Sequence, residues 1–326
     1  MDPVLIDDWH PVAASRALVA GKVVGTKLLG AELALWRAAD GQLRAWLDRC
    51  PHRGTRLSIG RIEHDQLVCA YHGWHFAADG HCTAVPALPG FAPPANARTT
   101  SFAVREAYGL AWVSLGSPKI GLPPFAEATD AGLRTVLCGP YDVASSAPRI
   151  VENFLDMAHF AYVHEGILGE ASRPQVKDYA VKPLEGGGVI ATGCFAWQPR
   201  ANSLIAGGAE VEYTYRVPRP LTAILTKLPQ LPGESGEAIS LHVQPLEEEQ
   251  SRAWIVMAMR DRGESEQSVR EFQDGIFMQD RPILENQRPL KLPLKPGAEL
   301  PVACDRMSQA YRRYLVEQGL RYGVIS

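Results

Sequence analysis

Long apolar runs are missing from these 326 residues, and none approaches the ~20 that a membrane-spanning helix needs. Excess charge of either sign is missing too. Lys and Arg number 33 against 36 Asp and Glu, a formal charge of -3. Neither nucleic acid nor an anionic membrane is therefore an expected partner. The opening MDPVLIDDWHPVAASRALVAG has no basic stretch followed by an apolar one, so a secretory signal is not expected and the cytoplasm is the expected compartment. Cysteine is scarce. Six residues, at 50, 69, 82, 138, 194 and 304, are too few and too scattered for a disulfide scaffold. No internal repeat or low-complexity tract interrupts the chain.

What is present is an ordinary globular composition, 46% hydrophobic and 21% charged, long enough for one large domain or two medium ones. The first third reads as β-structure, with apolar runs turning at Asp40-Gly41, Asp79-Gly80 and Tyr108-Gly109. Two proline-rich passages follow, VPALPGFAPPANA and SPKIGLPPF. The second closes the strand-rich part and predicts domains at 1–117 and 118–326. Beyond it, VENFLDMAHFAYVHEG is a helical candidate, and GGGVIATGCFAW, AEVEYTYRV and RAWIVMAMR read as strands. Helices are expected around SEQSVREFQDGIFMQD and ACDRMSQAYRRYLVEQG. An all-β domain followed by a sheet with flanking helices predicts an α+β protein.

Two groups of residues carry chemistry. The first is CPHRG and CAYHGWHF, placing Cys50-x-His52 and Cys69-x-x-His72 at loop tips, sixteen residues (Arg53 to Val68) apart. Four unrelated residues would not be expected to pair in this way. A structural zinc accepts mixed Cys and His ligands, but its common spacings pair like with like. A [2Fe–2S] cluster held by two cysteines on one iron and two histidines on the other explains the mixing, since each loop feeds both irons. Gly54 and Gly73 would let the backbone approach the cluster, and Trp74 would shield it. Arg53 reads either as a hydrogen-bond donor around the cluster's ligands or as a surface residue, and His64, His75 and His81 as solvated or hydrogen-bonded structural residues. The other four cysteines read as packing residues.

The second group is ENFLDMAHFAYVHEG. Asp156 and His159 are three apart and share a helical face, whereas His164 lies about 140° further round an ideal helix. One metal reaches both imidazoles only where the helix unwinds or bulges between them. Phe154, Met157 and Phe160 read as pocket lining or as the core face of that helix. Asn153 reads either as a shaper of the metal site or as a helix cap. A helix with scattered histidines is the plainer alternative.

CPHRG…CAYHGWHF resembles the Rieske motif of ring-hydroxylating and related oxygenases. ENFLDMAHFAYVH resembles N-x-x-D-x-x-H-x-x-x-x-H, the mononuclear iron motif of the same family, with Asn153, Asp156, His159 and His164 in register. The resemblance implies an N-terminal Rieske domain and a catalytic domain of helix-grip type, an antiparallel sheet with helices. It implies a [2Fe-2S] cluster on Cys50, His52, Cys69 and His72. It also implies a non-haem Fe(II) on His159, His164 and a late carboxylate, a facial set that leaves positions for O2 and substrate. IFMQDRPILENQ resembles the segment that supplies the carboxylate and points to Asp280, with Asp274 and Glu285 as competitors. Asp156 is implied as a bridge to His72 of a neighbouring subunit, in a head-to-tail homotrimer.

The implied activity is a terminal oxygenase component that hydroxylates a small organic molecule with O2 and two electrons. When the hydroxylated carbon is an O- or N-methyl group, the same chemistry is demethylation; ring dihydroxylation is a further alternative. No G-x-G-x-x-G stands in a strand-to-helix context, so NAD(P)H would act through a separate reductase or ferredoxin. The smaller single-subunit type fits best, which includes vanillate O-demethylase, the dicamba and toluenesulfonate monooxygenases and the saxitoxin-pathway hydroxylases. The last look nearest, through HFAYVHEGILGE, QDRPIL…QRPLKLPLKP and AYRRYLVEQGLRYGV. An electron carrier would need only the first motif, and a zinc protein would leave the second unexplained. In the last helix, Met307, Ala310, Tyr311, Tyr314 and Leu315 read as core, and Arg312 and Arg313 as a solvated face in preference to a contact for an acidic ferredoxin.

Overall fold

The computed structural model describes residues 2–200, 208–231 and 236–326. The chain divides into two compact units, Ile6–Gly121 and Met1–Leu5 with Leu122–Ser326. The N-terminus was expected in the first domain. It joins the second because the Asp2 carboxylate accepts the backbone N–H groups of Arg321 (2.6 Å) and Tyr322 (2.7 Å). A short helix, α1 (Pro3–Ile6), follows.

The first unit is all β. Its six-stranded antiparallel sheet holds β1 (His10–Ala14), β2 (Val23–Leu28), β3 (Ala31–Arg37), β4 (Leu43–Leu47), β9 (Ser101–Ala107) and β10 (Leu110–Ser114), in the order β1-β10-β9-β4-β3-β2. A four-stranded sheet of β5 (Arg61–Glu63), β6 (Gln66–Val68), β7 (His75–Phe76) and β8 (Cys82–Ala84) carries the Cys/His loops. The three expected hairpins are present as β3–β4, β7–β8 and β9–β10. Beneath the loops lies a core of Trp36, Trp46, Leu57, Leu67, Phe76 and Cys82, with Cys50 and Cys69 part of it. Trp36 and Trp46 meet edge to face at 5.1 Å, an arrangement favoured by the ring quadrupole.

The second unit is a seven-stranded antiparallel sheet in the order β11-β17-β16-β15-β14-β13-β12. Its strands are β11 (Arg134–Val143), β12 (Ala180–Pro183), β13 (Val189–Gln198), β14 (Ala209–Arg219), β15 (Thr222–Pro229), β16 (Glu237–Glu247) and β17 (Gln250–Met259). In β14 the alternation of the sequence becomes alternation of burial, with Val211, Tyr213, Tyr215 and Val217 inside. Helix α2 (Ala147–Leu155) packs on β15–β17. Helix α4 (Glu266–Leu284) packs on β11, and α5 (Arg306–Glu317) on β12 and β13. Ser265 caps α4 by accepting the Ser268 N–H at 3.1 Å. Among the described residues no helix is long and apolar enough to cross a membrane. The fold is α+β, as expected, although β11, β12, β15 and β16 went unread, β16 despite the alternation of Ile239-Ser240-Leu241-His242-Val243-Gln244.

Candidate metal centres

The two Cys/His loops are built alike. The N–H of Cys50 donates to the Thr55 carbonyl (2.8 Å) and that of Gly54 to the Cys50 carbonyl (2.9 Å). The matching bonds in the second loop run from Cys69 to Trp74 (2.9 Å) and from Gly73 to Cys69 (3.0 Å). Each turn closes through its glycine, at φ +76 for Gly54 and +69 for Gly73, which a residue with a Cβ adopts only at a cost. The loops point their cysteines inward and their histidines outward: Cys50 and Cys69 are 3% and 1% exposed, while His52 and His72 are surface residues. Trp74 stacks on His52 at 4.4 Å, and the two imidazoles lie 4.7 Å apart.

This sorting tests what the loops fit. Tetrahedral zinc draws its donors to within about 3.3–3.8 Å of one another. Among the described residues, the one group of three or more metal-binding side chains converging within 4.8 Å is elsewhere, at His159, His164 and Asp280. The four loop residues pair by type instead, thiol with thiol and imidazole with imidazole, which suits a two-metal body lying between the pairs. Burial pushes the Cys50 thiol up to about 11. The Cys69 thiol adds to that effect, while the backbone N–H groups of His52 and Arg53 act the other way by hydrogen-bonding the sulfur. A bound cation turns such thiols into thiolates. Arg53 is exposed, and Cys82, Cys138 and Cys194 are buried packing residues.

In the second unit the helix does break, but earlier than its sequence suggests. Helix α2 ends at Leu155, and Asp156 is extended at φ -85, ψ 137. A second short helix, α3 (Phe160–Val163), begins just after His159, and His164 leaves it at φ -111, ψ 33. The expected unwinding between the two histidines is thus a helical turn with a break on each side. Asp156 and His159 do not share a helix. They meet because the chain turns back at Asp156, whose Oδ1 accepts the Ala158 N–H at 2.9 Å. Asn153 lies near the end of α2 and is no N-terminal cap.

The turn directs three donor atoms to one point. His159 Nε2 and His164 Nε2 are 3.2 Å apart, and Asp280 Oδ1 of α4 lies 3.4 Å from the first and 3.3 Å from the second. The far side of each ring fixes its tautomer. His159 Nδ1 donates to Asp156 Oδ2 at 3.1 Å, and His164 Nδ1 donates to Gln279 Oε1 at 2.9 Å. Both Nε2 atoms therefore present lone pairs to each other and to a carboxylate oxygen that accepts from Asn153 Nδ2 at 3.3 Å. Three lone pairs facing one another repel unless a cation stands among them. Edges of about 3 Å are what ligands ~2.1 Å from one ion subtend at a right angle.

The electrostatics agree. Burial disfavours a charged His164, yet the Asp280 carboxylate and Gln279 hold its pKa above the usual value. Burial also raises Asp156, but the His159 contact outweighs it and holds the carboxyl below its usual range. The competing carboxylates are engaged elsewhere: Asp274 accepts from the Tyr141 hydroxyl, and Glu285 from the Ala144 N–H and from Arg281.

The donors open on a cavity lined mainly by apolar side chains, the usual character of a small-molecule site. Its floor is the sheet face bearing Tyr213, Leu225, Ile239, Leu241, Ile255 and Met257, and α4 lines it with Gln273, Ile276 and Phe277. Phe154 and Phe160 line it from the broken helix; Met157 is buried but does not.

Residues 8–102 match the family described as the Rieske [2Fe-2S] domain, and residues 143–319 match the Vanillate O-demethylase oxygenase C-terminal domain. A probable methylxanthine N7-demethylase, NdmC, of Pseudomonas sp. (strain TJI-51) is 35% identical over 98% of this chain and 96% of its own length. The chain is a Rieske-type terminal oxygenase. The solved structure of Pseudomonas putida CBB5 NdmA with caffeine matches the oxygenase at a TM-score of 0.81 and 28% identity, covering 96% of this chain and 91% of that one. Oxidoreductase NdmD of Pseudomonas putida is 42% identical over 119 residues, 36% of this chain and 20% of its own.

As a member of this family, the oxygenase uses a Rieske cluster, a non-haem iron and O2, with electrons from a separate reductase, to oxidise a small organic substrate. The sequence looks nearest to the saxitoxin-pathway hydroxylases; the chain is also similar to methylxanthine demethylases, NdmC and NdmA among them. Sequence reasoning missed Gln279, which orients His164, because a glutamine beside an aspartate carries no distinct signal. It also misread Arg312. That side chain is no solvated surface residue: it bridges Glu152 at 2.6 and 2.8 Å and Glu299 at 2.5 Å, because α5 packs that face inward. Arg313 is exposed, and the five residues read as core are buried.

Proposed function

We propose that this oxygenase removes an N-methyl group from a neutral heteroaromatic molecule. The convergence of three lone-pair donors on the rim of a largely apolar cavity carries the reading. Support comes from the demethylase names of its relatives, above all the one 35% identical over 98% of the chain. In this reading Cys50 and Cys69 hold one iron of the cluster and His52 and His72 the other, while His159, His164 and Asp280 hold the mononuclear iron. When bound, that iron supplies open positions at which O2 is reduced beside the substrate. The chain's own part is positioning: Asn153 fixes Asp280, Gln279 fixes His164, and Phe154 and Phe160 shape an apolar berth that keeps water from the reacting carbon.

In sum, a C–H bond of the methyl group breaks and one oxygen atom of O2 is inserted. Two electrons from the reductase and two protons convert the other oxygen atom to water. The resulting hydroxymethyl group leaves nitrogen as formaldehyde. We further propose a cytoplasmic homotrimer, in which Asp156 accepts a hydrogen bond from His72 of the neighbouring subunit and links the two metal centres. The carboxylate already orients His159, so one residue touches both ends of that path.

The reconstituted enzyme, supplied with a surrogate reductase, should release formaldehyde from an N-methylated heteroaromatic in step with O2 uptake. A hydroxylated product that keeps its methyl group would show a hydroxylase instead. Electron paramagnetic resonance should show a reduced Rieske signal, with about one further iron per chain; zinc without sulfide would end the proposal. Asp156→Asn should keep iron and substrate binding but slow single-turnover oxidation of the reduced cluster, and sedimentation should give a trimer.

A further inference from the structure

Helix α4 turns one buried stripe inward: Val269, Gln273, Phe277, Asp280 and Leu284. Their spacing, by fours and a three, is that of a single helical face. Three of the five are apolar, and Asp280 belongs to the metal site. Gln273 fits neither description. It is 6% exposed and lines the cavity. An amide in such a position costs stability unless its hydrogen bonds are made.

They are not made within the protein. Among the described residues no group hydrogen-bonds the Gln273 side chain. Both its amide atoms keep accessible surface, unlike the sealed Gln198 Oε1 and Tyr215 Oη, so the amide opens on the cavity. The other polar groups of the wall are engaged. His159, His164 and Asp280 converge on the metal site, and Asn153 donates to Asp280. The Tyr213 hydroxyl accepts from Gln198, and the Lys227 ammonium lies 3.4 Å from the Glu237 carboxylate. Among the described lining residues, Gln273 alone holds a polar side chain with no protein partner.

The helix also sets its distance from the metal donors. Gln273 precedes Asp280 by two turns, about 10 Å along the axis, and Phe277 lies between them on the stripe. Tyr141 of β11 stacks on Phe277 at 4.1 Å and donates its hydroxyl to Asp274, which pins this stretch of α4. A flat one- or two-ring molecule lying along Phe277, its methyl group at the metal donors, brings its opposite edge to Gln273.

An amide offers N–H donors and a carbonyl acceptor side by side. One edge satisfies both at once, an acceptor beside an N–H, the pairing by which glutamine reads adenine in DNA. In a neutral N-methylated heteroaromatic, a ring lactam is such an edge. We infer that Gln273 sets substrate specificity by pairing with a free lactam edge, its Nε2 donating to the ring carbonyl and its Oε1 accepting from the ring N–H. The inference rests on the demethylation reading and adds to it the group that the enzyme recognises. Methylation of the lactam nitrogen removes one of the two bonds and leaves Oε1 unpaired in a site with little water.

Calorimetric titration of the metal-loaded, oxygen-free enzyme tests this with three compounds. Theobromine keeps a lactam N–H, caffeine carries a methyl group on that nitrogen, and N-methylindole has no carbonyl at all. Wild type should bind theobromine about tenfold tighter than caffeine; equal affinities would overturn the assignment. Gln273→Leu should bring the two within about twofold of each other and tighten N-methylindole, with cluster signal and iron content unchanged. Its thermal stability should equal or exceed that of wild type, because an unpaired amide is gone. Gln273→Met, close in length and volume, is the second variant and should behave likewise. A variant that keeps the theobromine preference refutes the inference, and lower stability beside that preference would mark the amide as structural. Should wild type release formaldehyde from no methylated heteroaromatic, the demethylation reading fails. Should it do so while both variants bind as wild type does, only the Gln273 assignment fails.

Discussion

The two candidate metal centres are built on opposite plans. The cluster loops lie in one short stretch, Cys50 to Phe76, and each closes on itself through a cysteine-to-glycine bond repeated in the other. The second centre takes its histidines from a broken helix, and its carboxylate from a different helix whose Gln279 lies 115 residues beyond His164. A local site carries its geometry in its own turns. A distributed site borrows its geometry from packing, so substitutions in residues that hold the helices bear on it as much as those in the donors.

The largest expected effect separates the centres outright. Asp280→Ala should remove the non-cluster iron and lower turnover by at least about 1000-fold, while the reduced Rieske signal is unchanged. Loss of both signals together would show that the centres do not assemble independently. The reciprocal change, Cys69→Ser, should erase the cluster's visible absorption yet leave the mononuclear iron measurable after metal analysis and sulfide assay. Gln279→Leu tests the distributed plan more gently: iron affinity should fall about tenfold in a chelator competition, and Gln279→Glu should recover most of it.

Gly73→Ala tests the local plan. With φ at +69 and a new Cβ only 3.3 Å from Pro86, it should cost about 1–2 kcal/mol, seen as faster loss of the cluster on dilution into chelator. The smallest effect concerns acid. His242 is fully buried beneath the sheet between Thr222 and Ser240, and burial depresses its pKa from 6.5 to about 3. The unfolded chain takes up this proton first, so stability contributed above pH 6.5 is lost as pH falls toward 3. The initial loss, between pH 6.5 and 5.5, is about 1 kcal/mol. Denaturant titrations should show it in wild type and not in His242→Gln.

Much of the local plan was legible beforehand, because loops that turn on glycine place neighbouring side chains within a few residues' reach. CPHRG and CAYHGWHF by themselves pointed to a bound metal, and their resemblance to a known motif gave the cluster, while the Asp-Gly and Tyr-Gly pairs located their hairpins. The distributed plan was legible only in part. His159 and His164 were visible as a pair, but the helix was expected to give way between them rather than at Asp156 and His164. Backbone dihedrals at such a break answer to what the helix packs against, which no five-residue window contains. Arg312 failed for the same reason: its helical spacing was clear, but which face met Glu152 and Glu299 was not.

By itself the sequence determined the class of protein, the two metal motifs and the order of an all-β part before an α+β part. The order follows from residue type, period and turn chemistry, which act over a few residues at a time, and the class from two short motifs that resemble those of a known family. Only the tertiary structure set Asp280, and neither Asp274 nor Glu285, beside the two histidines. It alone showed Gln279 behind His164. Those facts depend on strand register and helix rotation, quantities that a buried sheet and the helices laid across it settle together.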